Sequence, residues 1–245
     1  MFSFELRCNG MAHVNSLEVR GLIKTLSGDG AQRGSAVLRG VDLSIRPGEC
    51  LGLKGSTGSG KSTLLRAIAG LLTPDAGEIT LDGTLLSDDQ IRVPPAKRRI
   101  AMVFQNLGLW PHMTVNGHLN FVLAAEPLTR DERARRLAEV STAFVLNGLS
   151  DRYPAELSGG ERHLLALARA FCGDVKLLLL DEPFTGLDGA LKKRVLETLR
   201  AERSRRSLTT LLVTHDDEEM RAIATRVEHL SEGRILERLT KECGI

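Results

Sequence analysis

The order of hydrophobic and polar positions predicts strands and helices in alternation along most of the chain. Residues 16–20 and 36–45 alternate between apolar and polar positions and predict two strands, and residues 78–83 predict an edge-type strand. Nearly continuous apolar runs predict buried strands at 49–54, 99–105, 176–183 and 209–215. Because buried strands that are separated by helices form parallel sheets, the pattern predicts an α/β fold class.

Helical periodicity fills the intervals between these runs. Apolar residues fall on one helix face over residues 190–203, and a further helix is predicted over 216–226. From residue 106 to about residue 154 the composition shifts to helix formers, with a predicted helix at 130–140. This segment indicates a helical insertion within the α/β domain.

A glycine-rich stretch matches the pattern G-x-x-x-x-G-K-[ST] at every fixed position. It lies between a predicted strand and a predicted helix, as the pattern requires, and consists of Gly55, Ser56, Thr57, Gly58, Ser59, Gly60, Lys61, Ser62 and Thr63. Glycines let backbone N–H groups approach a polyphosphate, and the helix N-terminus adds a favourable dipole. Lys61 can reach the β- and γ-phosphate oxygens, and the Ser62 hydroxyl can ligate Mg²⁺. The stretch therefore predicts a phosphate-binding loop and not a chance glycine-rich turn.

Polar side chains stand at the carboxyl ends of the buried strands. Gln105, Asp181 and His215 hold such positions, and Glu182 follows Asp181 directly. Ligands of open α/β sheets collect at this edge, so we expect these side chains to face a nucleotide. Asp181 suits a Mg²⁺ contact and Glu182 can polarise an attacking water. A strand that ends in Asp-Glu is weak evidence alone, and the phosphate-binding loop upstream strengthens it.

The segment that begins at Ser158 has two interpretations. Ser158 and Glu161 fit the S-x-x-E capping box, so the segment predicts a well-capped buried helix over residues 164–171. A serine hydroxyl, two glycines and free helix N–H groups also make an anion site. The residues alone favour neither interpretation.

The composition narrows the classes of protein. The 245 residues include 33 Lys and Arg against 31 Asp and Glu, a balance that does not suggest a broad nucleic-acid surface. The four cysteines lack C-x-x-C spacing, which argues against a zinc site or a disulfide framework and fits a reducing cytoplasm. No apolar run is long enough to cross a bilayer, so work at a membrane would need another chain to supply the membrane part.

The series of motifs resembles the ATP-binding cassette (ABC) ATPases over nearly the whole chain. The series consists of the phosphate-binding loop, Gln105, residues 157–161, 177–182 and 186–188, and His215. The resemblance implies one ABC ATP-binding domain over residues 1–245. It has a P-loop NTPase (RecA-like) sheet core, an N-terminal antiparallel β-subdomain and a helical subdomain inserted at about 106–163. The resemblance also implies an ATPase with ATP and Mg²⁺ as cofactors.

In this family two subunits pack head to tail around two ATP molecules. The resemblance implies that Ser158, Gly159 and Gly160 touch the γ-phosphate held by a second subunit, which favours the functional interpretation of Ser158. It implies that Asp188 bridges the subunits. The other implied roles are Mg²⁺ ligation by Ser62, Gln105 and Asp181, general-base catalysis by Glu182, and γ-phosphate contact by His215.

Residues 102–107 and 109–115 make the resemblance closest to the ATPase subunits of bacterial importers. It implies transmembrane permease subunits as partners, a location on the cytoplasmic face of the inner (plasma) membrane, and no nucleic-acid partner. The apolar cluster of Leu107, Leu109 and Trp110 with Met113 can dock such a partner, although a core-facing loop is at least as well supported.

One departure concerns the nucleotide base. The family usually places an aromatic residue after the first strand to stack on adenine, and residues 22–26 contain none. Phe2, Phe4 or a partner chain's tyrosine at the position of Tyr153 could serve instead. The glutamine and arginine usual after the family's S-G-G signature, here residues 158–160, are also displaced, and Arg162 and His163 stand there.

Two rival functions are less well supported. An ABC ATPase that acts on DNA or ribosomes is disfavoured, because the chain has neither sustained heptads nor a second phosphate-binding loop. A nucleotide-binding regulatory module without turnover is disfavoured by the presence of Glu182 and His215. The transported substrate, the direction of transport and homodimer against heterodimer stay open.

Overall fold

The computed structural model describes residues 16–26 and 35–236. Its strands are β1 (Leu17–Leu26), β2 (Ser35–Ile45), β3 (Cys50–Lys54), β4 (Ala76–Leu81), β5 (Thr84–Ser87), β6 (Ile100–Val103), β7 (Leu177–Asp181), β8 (Thr209–Val213), β9 (Arg226–Ser231) and β10 (Arg234–Ile235). Its helices are α1 (Lys61–Ala69), α2 (Val115–Leu123), α3 (Arg130–Ala143), α4 (Gly159–Cys172), α5 (Gly189–Arg205) and α6 (Asp217–Ile223). The predicted α/β class is confirmed.

The first sheet is antiparallel, with the strand order β2-β1-β4-β5. β1 continues past the predicted end at residue 20, because Gly21 takes a positive φ of 57° and absorbs a register shift between Val19 and Leu22. The prediction that residues 78–83 form an edge-type strand is wrong, since β4 lies between β1 and β5. β5 was not predicted, since its two apolar residues are adjacent and show no alternation.

The second sheet has the order β10-β9-β3-β8-β7-β6, with only the β9–β10 pair antiparallel. β7 and β8 are buried along their whole length, as predicted. β6 is the edge strand and only its Val103 is buried, so the expectation of a buried strand at 99–105 is wrong. Because the parallel strands share one direction, their carboxyl ends meet at a single edge.

Two hydrophobic cores lie on opposite faces of the parallel sheet. Alternate leucines of β7 enter each core: Leu178 and Leu180 face the helices α2 to α5, and Leu177 and Leu179 face α1 and the antiparallel sheet. The two layers are therefore fixed to each other through the strand that ends in Asp181.

The helices α2 to α4 follow β6 in the chain. Thr129 and Glu132 form a capping box at the start of α3, and Ser158 and Glu161 form the predicted one at the start of α4. The boundary of an inserted subdomain at about 106–163 stays a prediction, and α4 itself continues to Cys172. Within the described ranges, none of the helices has the length and apolarity to cross a membrane.

Candidate functional site

The glycine-rich loop is packed so closely that two of its glycines cannot be replaced without movement. A Cβ on Gly55 would lie 2.2 Å from the Leu230 carbonyl oxygen. Gly60 has a φ of 106°, and a Cβ there would lie 2.9 Å from the Val37 carbonyl oxygen. The loop is therefore held between β9 and β2, and its path is set before any ligand binds.

Lys61 begins α1 and lies across the loop that precedes it. Its Nζ donates to the carbonyl oxygens of Gly55 at 2.7 Å and Ser56 at 2.9 Å. The first turn of α1 starts with the Leu64 N–H donating to the Gly60 carbonyl at 2.8 Å. The ammonium group and the free N–H groups of the helix start thus converge on the loop, as phosphate binding requires.

The Ser62 hydroxyl donates to Asp181 Oδ1 at 3.1 Å. This contact joins the first turn of α1 to the end of β7, and it places two oxygen ligands side by side, of which the Asp181 carboxylate is buried. Hard oxygen donors of this kind suit Mg²⁺, which usually keeps waters and phosphate oxygens as its other ligands. No group of three or more His, Cys, Asp or Glu residues is arranged as a metal site in the described part of the chain. The pair therefore fits a Mg²⁺ ion shared with a phosphate.

Glu182 and His215 are in direct contact, with His215 Nδ1 2.8 Å from Glu182 Oε2. The Glu182 side chain is 16% exposed, whereas that of His215 is 77% exposed. Glu182 has a positive φ of 49°, a conformation that costs a non-glycine residue about 1–2 kcal/mol. Its backbone N–H donates to the Val213 carbonyl at 2.9 Å, which ties the end of β7 to the end of β8. The carboxylate is thus held in place and sheltered, and the imidazole faces solvent.

Gln105 lies two residues beyond the end of β6 and is exposed. Since β6, β7 and β8 are neighbouring parallel strands, Gln105 shares the sheet edge with Asp181 and His215. The predicted grouping of the strand-end side chains at one edge is confirmed.

Arg169 of α4 holds the loop that follows Gln105, a contact that sequence reasoning missed. Its guanidinium donates to the carbonyl oxygens of Leu107 at 2.9 Å and Gly108 at 2.5 Å. The signal in the sequence was a single cation within the apolar run at 164–171. Its burial lowers the pKa of Arg169, although the group stays charged near neutrality.

The ring of Trp110 packs among three side chains. The Arg169 guanidinium lies 4.9 Å from the ring centroid, His118 stacks at 5.3 Å and Phe121 meets it edge-on at 5.0 Å. The backbone N–H of Trp110 donates to Nε2 of the buried His118 at 2.9 Å. Burial lowers the pKa of His118, and the Arg169 charge acts in the same direction. Trp110 is thus half-buried, and Phe121, 56% exposed, extends the cluster to solvent.

Ser158 lies exposed at the N-cap of α4. Its Oγ accepts from the Glu161 N–H at 3.3 Å, and its own N–H donates to Glu161 Oε2 at 2.7 Å, so the predicted capping box is confirmed. Gly160 is buried, and a Cβ there would lie 2.5 Å from Leu191 of α5. Throughout the described ranges, no hydrogen bond or ion pair joins residues 158–160 to the phosphate-binding loop.

Asp188 caps the helix against which Gly160 packs. Its side chain accepts from the Leu191 N–H at 3.1 Å. Asp188 itself is exposed, like Ser158. The segment 158–160 and the exposed carboxylate of Asp188 are therefore neighbours through Leu191, an arrangement that the sequence alone did not reveal.

Residues 22–26, where an adenine-stacking aromatic was expected, lie within β1. Leu26 and Ile23 are exposed there, and Lys24 pairs with Asp75 at 2.6 Å. Tyr153 is exposed. Phe2 and Phe4 lie outside the described residues.

Comparison with known proteins gives consistent results. The family model described as "ABC transporter" matches residues 38–185, more than half of the chain. The spermidine/putrescine import ATP-binding protein PotA of Oleidesulfovibrio alaskensis is 41% identical over 201 residues, which are 82% of this chain and 53% of that protein. The sulfate/thiosulfate import ATP-binding protein CysA of Caulobacter vibrioides is 44% identical over 202 residues, which are 81% of this chain and 58% of that protein. The chain thus spans a little over half the length of these relatives.

A solved structure gives the same result for the fold. The ATP-binding cassette MJ0796, a dimer in a post-hydrolysis state with ADP and Pi bound, superimposes with a TM-score of 0.77 at 28% identity. The match covers 91% of this chain and 97% of that one. The predicted P-loop fold, with its antiparallel sheet, parallel sheet and helices, is confirmed. The chain belongs to the ABC transporter family of ATP-binding proteins.

Proposed function

We propose that this chain is the ATP-hydrolysing subunit of an ABC importer and that it drives transport through separate membrane subunits. The observation that carries the proposal is the meeting, at one sheet edge, of the phosphate-binding loop, the Ser62–Asp181 pair and the Glu182–His215 pair. These groups supply the parts that phosphoryl transfer to water needs: a phosphate cradle, a metal site, a base and a side chain that can contact the γ-phosphate.

In this proposal the loop backbone and Lys61 hold the β- and γ-phosphates of ATP. Lys61 exchanges its contacts with the Gly55 and Ser56 carbonyls for phosphate oxygens, and both sets of contacts lie within reach of the same ammonium group. Ser62, Asp181 and Gln105 are the residues that would hold Mg²⁺. When bound, Mg²⁺ neutralises the charge that develops on the phosphate oxygens.

Glu182 is the proposed general base, and His215 the proposed contact to the γ-phosphate. The sheltered Glu182 carboxylate can accept a proton from water, while the exposed His215 ring is free to turn toward a phosphate. The 2.8 Å contact between His215 Nδ1 and Glu182 Oε2 orients the imidazole and the carboxylate before the reaction starts. Preorganised groups of this kind lower the barrier because they need no rearrangement during the reaction.

The proposed active assembly is a head-to-tail dimer. Ser158 and Asp188 are exposed on the chain and are not joined by hydrogen bonds to its own phosphate-binding loop within the described residues. A second subunit would bring its loop to Ser158, Gly159 and Gly160, where the first turn of α4 offers N–H groups to the γ-phosphate. Asp188 would then lie at the subunit boundary.

The proposed membrane partner docks on the cluster formed by Leu109, Trp110, Met113 and Phe121, beside Leu107, which is itself buried in the core. Phe121 presents apolar surface, and Arg169 connects the Leu107–Gly108 loop to the helix that starts at Ser158. This docking places the chain on the cytoplasmic face of the membrane.

The transported substrate follows from the partner in this proposal. One relative is named for the polycations spermidine and putrescine and the other for the anions sulfate and thiosulfate, yet this chain is 41% and 44% identical to them. Similarity to domains that serve opposite charges indicates that the ATP-binding domain does not select the cargo.

Phosphate release from ATP by the purified full chain tests the proposal. We expect release that depends on Mg²⁺ and is abolished by EDTA and by Lys61→Ala. The matched control is Lys193→Ala, since Lys193 is exposed and makes no ion pair in the described part of the chain. Release that persists in Lys61→Ala, or its absence from the wild type at every protein concentration, would refute the activity.

A further inference from the structure

A single lysine joins α5 to the segment that carries His215. Lys192 Nζ lies 2.6 Å from Glu219 Oε1 and also pairs with Asp216. Both carboxylates stand at the start of α6, directly after His215 in the chain. The Asp216 carboxylate also caps α6, accepting from the Glu218 N–H at 2.7 Å. One ammonium group therefore bridges two carboxylates, and together they hold this turn in place.

The network fixes the residues on either side of His215 in the chain. Glu219 is 4% exposed and Thr214 1% exposed, and the Thr214 hydroxyl donates to the Glu219 carboxylate. The Asp216 N–H in turn donates to Thr214 Oγ1 at 3.1 Å. The residues before and after His215 are thus fixed by buried polar contacts. Within the described ranges, the only partner of the His215 ring is Glu182.

Lys192 also belongs to the turn that Asp188 caps. Its backbone N–H donates to the Asp188 carbonyl at 2.8 Å, while its side chain reaches α6. Burial opposes the charge of Lys192, but its bonds to Asp216 and Glu219 outweigh burial and raise its pKa. The hydrogen bond from Lys192 lowers the pKa of Asp216 to about 2.

We infer that Lys192 is a positioning residue for the reaction, which holds His215 against Glu182 by way of Asp216 and Glu219. The inference rests on the proposed ATPase function. Without the lysine, the buried Glu219 carboxylate loses its counter-ion, and the Thr214 contact that fixes the backbone before His215 must rearrange. A displacement of about 1 Å at a reacting group is enough to cost about 10²-fold in rate.

Steady-state kinetics of three variants test the inference. In Lys192→Met we expect kcat to fall at least about tenfold while the KM for ATP stays within about twofold, since the phosphate-binding loop is untouched. Lys192→Arg restores the charge and should recover most of the rate. Lys193→Met removes the neighbouring exposed lysine and should behave as the wild type.

A double-mutant comparison separates positioning from general stability. If Lys192 acts through His215, Lys192→Met should lower the rate by no more than about twofold once His215 is already alanine. If Lys192 only stabilises the fold, the two losses multiply. Equal losses in both backgrounds, or an unchanged kcat in Lys192→Met, would overturn the inference.

The His215 imidazole gives a readout that needs no activity. Its ring NMR resonances at fixed pH, assigned with His215→Ala, should shift in Lys192→Met and stay unchanged in Lys193→Met. Should Lys192→Met fail to fold, Glu219→Gln removes one charge of the network at nearly constant volume and should give the same split of kcat from KM. If the wild type hydrolyses ATP and the variants are equally active, the inference about Lys192 is refuted and the proposed function stands. If the wild type is inactive, the proposed function itself is refuted.

Discussion

The phosphate-binding loop and the segment 158–160 are built in opposite ways. The loop is fixed by the rest of the chain, since Gly60 packs on Val37 and Ser62 bonds to Asp181. At Ser158 the capping bonds are closed within the first turn of α4, and the hydroxyl faces solvent. The first region is completed by its own chain. The segment 158–160 makes its bonds within α4 and Ser158 stays exposed, as we expect of a half-site that a second copy of the chain would complete.

The largest expected effect is on the hydrolysis rate, and it tests whether the residues beside the phosphate-binding loop carry out the reaction. Glu182→Gln keeps the size of the side chain and an oxygen near His215, but it removes the base. Because the loss of one acid–base group costs about 10²–10⁴ in rate, turnover should nearly vanish while ATP still binds. The measurements are phosphate release and nucleotide binding, with the exposed Glu218→Gln as the control. A Glu182→Gln chain that retains more than about a tenth of the wild-type rate would remove Glu182 from this role.

Mixing two inactive variants tests whether the phosphate-binding loop of one chain and the segment 158–160 of another chain form one site. Lys61→Ala lacks a working loop and Ser158→Arg lacks a working signature, so a heterodimer of the two carries one intact composite site. Random pairing of the two variants at equal amounts should restore up to about a quarter of the wild-type rate. The restored rate should rise steeply with protein concentration, because the heterodimer has to form first. Each variant alone should stay inactive. A mixture as inactive as its components, together with a monomer in ATP by light scattering, would show that each chain works by itself.

A smaller effect is expected on membrane association when the proposed docking cluster is changed. Trp110→Asp and Phe121→Asp place a charge on the proposed docking cluster, and recovery of the chain with the membrane fraction should fall several-fold while its isolated ATPase rate is retained. The control is Ile91→Asp, which charges an exposed apolar residue elsewhere. Because Trp110 is half-buried, Phe121→Asp is the cleaner variant. Loss of thermal stability in both, or unchanged membrane recovery, would favour a purely structural role for the cluster.

The smallest expected effect concerns the nucleotide base. With no aromatic among residues 22–26, adenine should be held mainly through its phosphates, and GTP should bind within about tenfold of ATP. Leu26→Tyr should tighten ATP binding several-fold at an unchanged maximal rate, because stacking contributes about 1–3 kcal/mol equally before and during the reaction. The measurement is equilibrium binding of both nucleotides. Strong ATP preference that disappears when the first ten residues are deleted would instead assign the base contact to those residues.

The sequence predicted what depends on local chemistry. Glycines at a tight turn, the capping pair Ser158 and Glu161, and polar residues after buried strands each carry their signal within a few positions. It failed where the deciding contact is distant. The interior place of β4 depends on its pairing with β1, and the edge position of β6 depends on the order of the whole sheet. Arg169 and Gly108 are 61 residues apart and Lys192 and Asp216 are 24 apart, so no local pattern reveals these contacts.

The helix α4 has a mechanical consequence. Ser158 stands at its start and Arg169 lies eleven residues later, a separation of about 16 Å at 1.5 Å per residue. A helix of this length behaves as a rigid lever, so a tilt of about 5° at one end moves the other by about 1.4 Å, enough to lengthen a hydrogen bond beyond its normal range. Arg169 of α4 donates to the Leu107 and Gly108 carbonyls. Even a small rotation of α4 therefore has to move the loop beside Trp110.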